Sequence, residues 1–156
     1  MLPISYTEFR ELCQLHGLSA THQRHVIYNA VVAGSAPDGT PAGHRSPEEV
    51  YESVRKELPS ISLATVYKNL KTFVENKMLH PVSPHHGAFR VDANLDPHHH
   101  FVCSQCRGIT DLDHSMLEPL RLRGELPKGF EFLHYKVDVV GICAACAAKS
   151  PARRQQ

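Results

Sequence analysis

Two Cys-x-x-Cys pairs, Cys103/Cys106 and Cys143/Cys146, restrict this chain more than any other feature of its sequence. A turn of that spacing brings two sulfurs close enough to share an ion, and two such turns complete the tetrahedral set that zinc takes in closed structural sites. The competing reading is a pair of independent redox dithiols. It requires each pair to be functional separately, and the Cys143-Ala144-Ala145-Cys146 segment lacks the βαβ surroundings of such motifs. A Zn(2+) ion bridging positions 103 and 143 would contribute folding free energy on the order of 10 kcal/mol in apparent terms. With four thiolates bound it has no open position, so its role is structural and not catalytic. The fifth cysteine, Cys13, lies on the apolar side of a helical pattern and is expected in the core.

The 156 residues suffice for one ordinary domain or two small ones, and the change of texture along the chain favours two. Residues 4–17 read as a helix, with Ser5 as N-cap, Glu8 as its reciprocal partner and Gly17 as the stop. Thr21 caps a second helix through about Ala33, and GSAPDGTPAG then reads as a loop. Ser46-Pro47-Glu48-Glu49 starts a third helix that runs to about Leu58. The fourth, from Ser62 to about Asn76, repeats Leu63, Val66, Leu70, Phe73 and Val74 at helical spacing, leaving Thr65, Tyr67, Lys68, Lys71 and Thr72 outward. HPVSPHHGAFRV follows as two alternating arms around a His85-His86-Gly87 tip, a β-hairpin pattern.

From Asp92 the pattern becomes short apolar runs between ligating residues. Strands are expected at Phe101–Cys103, Ile109–Leu112 and Phe130–Val140, with a short helix over Ser115–Arg123. The expected domains are therefore 1–91 and 92–149, followed by a flexible tail over 150–156, with the polar, basic residues from 147 onward expected to fray.

Charge is uninformative about partners. The formal net charge is +1, with eight basic and eight acidic residues in 1–80 and nine and eight in 81–156. A DNA-binding reading therefore needs local clustering of basic groups by the fold, not global attraction. No run of about 18 apolar residues could span a membrane, and the start MLPISYTEFR lacks the basic-then-apolar order of a signal peptide. A cytoplasmic location is expected.

A second ligating set, His44, Asp92, His98, His99, His100 and Asp111, offers only imidazole and carboxylate. In an extended segment His98 and His100 share a face while His99 points away. Such donors suit Fe(2+), Mn(2+), Ni(2+) or Zn(2+). A His-rich run is also compatible with an ordinary surface feature that chelates metal opportunistically.

With these segments in place, the chain resembles the ferric-uptake-regulator family of bacterial metal-dependent repressors, from about Thr21 to Cys146. The resemblance is carried by Thr21-His22-Gln23-Arg24, by Ser62-Leu63-Ala64-Thr65-Val66-Tyr67-Lys68-Asn69-Leu70, by His98–His100 leading into Cys103-x-x-Cys106, and by Gly141-Ile142-Cys143-x-x-Cys146. It implies an α+β architecture in which an N-terminal winged helix-turn-helix precedes a small α/β zinc-containing dimerisation domain. It also implies regulatory metal ligands at His44, Asp92, His98, His100 and Asp111, with Fe(2+) or Mn(2+) drawing the two domains into a DNA-binding arrangement. The iron-responsive branch typically has glutamate where this chain has Asp92 and Asp111, whereas the peroxide-stress branch has aspartate at both. The peroxide branch is thus the preferred resemblance, with His44 and His98 matching its oxidation-sensitive ligands. Positions matching a further metal site of some relatives hold Pro97, His99, Glu118 and Tyr135. His134 is offset by one from the last of these, so His99, Glu118 and His134 are the residues left to an accessory site whose match is imperfect.

For DNA contact, Tyr67 is expected to pack on thymine methyls or sugar, Lys68 and Lys71 to reach phosphate or guanine, Thr65 to share their outward face, and Arg24 to anchor the backbone. The expected partner is double-stranded DNA with a near-palindromic operator, bound by a homodimer. Readings from other classes are a metallohydrolase and a metal-storage protein. The first lacks both HExxH spacing and a glutamate beside the histidine run; the second predicts no metal-dependent DNA binding.

Overall fold

The computed structural model describes residues 3–33, 44–82, 89–96, 98–112, 114–117, 120–133, 135 and 137–149. The expected loop at 34–43, the hairpin tip, the tail over 150–156, and Pro97, Glu118 and His134 of the accessory set lie outside them. The chain divides into two compact units after Asp96, so Asp92, expected at the start of the second domain, belongs to the first unit.

Four helices build the first unit: α1 (Tyr6–Leu15), α2 (His22–Val32), α3 (Pro47–Val54) and α4 (Leu63–Glu75). Their starts are set locally. Ser5 and Ser46 each accept from the amide three residues on, and Glu8 and Glu49 return the bond to the cap amide. Thr21 and Ser62 cap α2 and α4 through their hydroxyls. Gly17 takes a left-handed φ of 68° just after α1, as a helix stop requires.

The helices close over a core that includes Phe9, Ile27, Val31, Val50, Val66, Leu70 and Phe73. Phe9 stands edge-on to Phe73 with ring centroids 6.3 Å apart, and Cys13 is fully buried among them, as its spacing predicts. Two positions of α4 depart from the apolar pattern. Leu63, in the first turn, is exposed, and Asn69 is buried instead, donating to the Thr65 carbonyl and accepting from Arg24.

Two short strands follow α4, β1 (His80–Val82) and β2 (Arg90–Asp92), antiparallel with His80 opposite Asp92. On its other side Val91 exchanges both backbone bonds with Arg45, at 3.1 and 3.0 Å. Opposite it on β1 stands Pro81, where no donor is then required.

The second unit is a three-stranded sheet of order β4-β3-β5, made by β3 (His99–Cys103), β4 (Ile109–Leu112) and β5 (Asp138–Gly141), with α5 (Ala144–Lys149) after it. Strand β3 is antiparallel to β4 and parallel to β5. Three expectations are corrected. The helix expected over Ser115–Arg123 is a single 3-10 turn at His114–Met116, and residues 120–123 are irregular. Of the strand expected over Phe130–Val140, among the described residues only the last three are in β5, and Phe130, Phe132 and Leu133 are exposed and irregular. Residues 147–149, expected in the frayed tail, complete α5.

Candidate metal centres and recognition helix

The parallel register of β3 and β5 assembles the cysteine site. Cys103 ends β3 opposite Gly141, so the turn after β3 and the turn after β5 leave the sheet at the same end. Gly141 lets the Phe101 ring lie close against the strand, since a Cβ would lie 2.7 Å from that ring and push it aside. Ser104 donates to the Gly141 carbonyl and Arg107 to the Cys103 carbonyl, with Arg107 in the left-handed region that closes the first turn. The four sulfurs of Cys103, Cys106, Cys143 and Cys146 lie within 4.8 Å of one another. Cys106 and Cys143 are 3.7 Å apart, close to the edge of about 3.8 Å that a tetrahedron with Zn–S bonds of about 2.3 Å would have.

The site's electrostatics fit a cation. The Cys143 amide donates to the Cys103 sulfur at 3.4 Å and, against the cost of burial, is the chief cause that holds this thiol down to about 6. The Cys146 thiol is pushed up to about 12, first by the hydrogen bond with the Cys143 sulfur. Cys106 is raised on balance: the Gly108 amide pulls it down, while burial and the Cys103 and Cys143 sulfurs push it up further. Four sulfurs this close cannot all be thiolates by themselves, and a shared divalent ion removes that conflict. The set fits zinc.

The nitrogen and oxygen set is built in two parts. In the first unit the Arg45–Val91 bridge makes positions 44 and 92 the next antiparallel neighbours, and His44 Nε2 lies 3.3 Å from Asp92 Oδ2. Both side chains are almost wholly buried. Asp92 Oδ1 accepts from the Asn94 amide at 2.8 Å.

In the second unit His98 and His100 do share a face, with their Nε2 atoms 2.8 Å apart, and Asp111 Oδ1 lies 3.4 Å from one and 3.9 Å from the other. The pairing of His100 with Asp111 across β3 and β4 puts the carboxylate there. Donors around one ion at about 2.1 Å would stand roughly 3 to 3.5 Å apart, so each part has the spacing of a partial ligand set. Asp138, not singled out from sequence, has Oδ1 3.8 Å from His100 Nδ1, the nitrogen opposite the cluster. A carboxylate behind a ligating imidazole is a common means of orienting the ring.

On α4, Lys68 is exposed and Thr65 half-buried, its hydroxyl 2.9 Å from that of Ser62. Tyr67, expected to face solvent, is half-buried because its ring packs on Phe89, with centroids 5.4 Å apart. Lys71 Nζ stands 5.2 Å over the same ring. Arg24 donates through Nε to Asn69 and through Nη1 to the Ser19 carbonyl at 2.6 Å, so part of its guanidinium is committed within the unit. Of the accessory set, His99 is half-buried on β3.

Known proteins match this architecture. Over 133 residues the chain is 26% identical to the peroxide-responsive repressor PerR of Staphylococcus aureus, the match covering 85% of each. The Helicobacter pylori ferric uptake regulator Fur, whose structure has three functional metal binding sites, superposes with a TM-score of 0.65 at 17% identity, over 94% of this chain and 96% of that one. A zinc uptake regulator in complex with zinc and DNA superposes with a TM-score of 0.59 at 17% identity, over 94% of this chain and 95% of that one. These likenesses establish the α+β fold, the helical unit followed by the smaller sheet-containing one. The sequence profile of the ferric uptake regulator family matches residues 15–140, and the chain therefore belongs to that family.

Proposed function

We propose that this protein is a metal-dependent transcriptional repressor that binds DNA as a homodimer and senses peroxide through bound iron. Family membership makes it a regulator and not an enzyme. In this reading Cys103, Cys106, Cys143 and Cys146 hold structural zinc, and His44, Asp92, His98, His100 and Asp111 hold one regulatory Fe(2+) or Mn(2+). The carrying observation is the convergence of His98, His100 and Asp111 on one point without any thiolate, in a chain whose other metal set is all sulfur. The aspartates at positions 92 and 111 and the likeness to a peroxide-responsive repressor support the choice of signal. When bound, the ion would draw its ligands together and, as Fe(2+), would supply reactivity toward peroxide.

DNA is contacted through the outward side of α4, by Thr65, Tyr67, Lys68 and Lys71, with Arg24 beside it. A symmetric dimer then selects a near-palindromic operator. Val140, Ile142 and Phe130, at 69%, 45% and 70% exposure, are apolar side chains available to a second copy, and among the described residues β5 has no strand on its outer edge. Such a repressor works in the cytoplasm; no helix among the described residues is long and apolar enough to cross a membrane.

The test is duplex affinity at fixed salt, with Mn(2+) and then with the regulatory metal chelated. Binding that weakens at least tenfold on chelation, with zinc retained, is the expected result. Equal affinity in both states would sink the repressor reading and leave metal storage as the better one.

A further inference from the structure

His44 precedes α3, so no helix aims its side chain, and its place depends on what holds the backbone of residues 44 and 45. One hold is the two-bond bridge between Arg45 and Val91. The other is Arg90. On β2 it stands two residues from Asp92, hence on the same face, and its Nη1 donates to the His44 carbonyl at 2.7 Å and to Glu49 Oε2 at 2.9 Å. Glu49 Oε2 also accepts from the Ser46 amide at 2.8 Å, which closes the cap of α3. One guanidinium nitrogen therefore joins the histidine's backbone, the start of α3 and the strand that carries Asp92.

We propose that Arg90 is the positioning residue of the regulatory metal site, fixing His44 against Asp92 before the metal arrives. This rests on the reading of His44 and Asp92 as ligands. Arg45 secures the same segment from the opposite side, with its guanidinium on the Ala30 and Glu49 carbonyls and on Ser53 Oγ, which ties the ligand segment to α2 and α3. Without Arg90 the segment keeps the Arg45 bridge and the Arg45 side-chain bonds to α2 and α3, but loses the hold on the His44 carbonyl itself. His44 must then be ordered by the metal itself, and that ordering weakens binding.

The sign of the effect separates positioning from simple electrostatics. Arg90 is a cation close to a cation site, so if charge alone mattered, Arg90→Gln would tighten metal binding. A positioning role predicts the opposite. Mn(2+) titration of the zinc-loaded full-length protein by calorimetry should show Arg90→Gln weakened roughly 10- to 100-fold, the range for groups that orient metal ligands. Arg90→Lys, which keeps a donor and the Glu49 pair, should recover part of the loss. Zinc content should stay at one per chain in both.

His44→Ala serves as the control for the underlying reading. If His44→Ala binds Mn(2+) as tightly as the unmodified protein, the ligand assignment fails. If His44→Ala weakens binding but Arg90→Gln is unchanged or tighter, the positioning role is overturned and the ligand assignment stands. Should Arg90→Gln not fold, Glu49→Gln decides in its place, since the amide oxygen still caps α3 but no longer holds the guanidinium by charge. A several-fold loss of Mn(2+) affinity is expected for it, and no loss overturns the proposal.

Discussion

Tyr67 is braced on two sides, by the Phe89 ring and by the Lys71 ammonium above it. A ring already held in one orientation loses little freedom when it docks, so its contact energy goes into binding with a smaller entropic cost. Tyr67→Ala is expected to lower operator affinity by about 1 to 3 kcal/mol, the scale of a specific base contact, and Phe89→Ala to lower it less by releasing the ring. Fluorescence anisotropy on operator and scrambled duplexes at one salt concentration checks both. Loss of thermal stability without selective loss of operator binding would make the Tyr67–Phe89 stack a packing feature alone. Arg24 differs, because two of its nitrogens bond to Asn69 and Ser19, and the Asn69 contact reaches the buried side of α4. Its replacement by alanine should therefore reduce stability as well as binding.

Among the elements, the β3–β5 pair and its two cysteine turns act as a unit. Replacing Cys106 or Cys143 by serine removes a thiolate that a hydroxyl cannot replace on zinc, so the dimer should be lost. One zinc per chain with an unchanged melting temperature would exclude the four-cysteine site. The protonation states add a pH dependence. Cys106 and Cys146 are raised and so hold their protons at neutral pH in the metal-free chain, and zinc capture must release them. Zinc affinity should therefore rise with pH, measured by competition with a chelator between pH 6 and 8. The CxxC turns and the capped helices were legible in the sequence because each signal spans three or four residues. The register that joins Cys103 to Gly141 was not, since nothing local specifies which strands pair. Nor was the Arg90 link, whose partners His44 and Glu49 lie 46 and 41 positions away. Phe130, Phe132 and Leu133 misled for a physical reason. An apolar run reads as a strand whether or not it pairs, and in this chain these side chains are exposed.

At the scale of the whole molecule, two metal sets of different chemistry give two routes by which peroxide could inactivate the repressor. At this set bound Fe(2+) would supply reactivity toward peroxide, whereas Mn(2+) in the same ligands would react far more slowly, and the oxidation, with peroxide as the two-electron oxidant, would fall on the nearest side chains. We propose His44 and His98, one in each unit, as the targets, since an oxo-imidazole at either would weaken metal binding and release the operator. The other route is oxidation of the zinc thiolates, with loss of zinc and unfolding. Full coordination argues against it, because a thiolate bound to zinc is a poorer nucleophile than a free one. The routes differ in what remains afterwards: histidine oxidation leaves zinc at one per chain and the dimer intact, while thiolate oxidation removes both. Peptide mass spectrometry after a stoichiometric peroxide pulse should find one added oxygen on the peptides holding His44 or His98 in the Fe(2+) protein but not in the Mn(2+) protein. If both metal forms keep unmodified histidines and still bind DNA after the pulse, peroxide is not the signal, and the same ligand set is better read as a plain iron or manganese sensor.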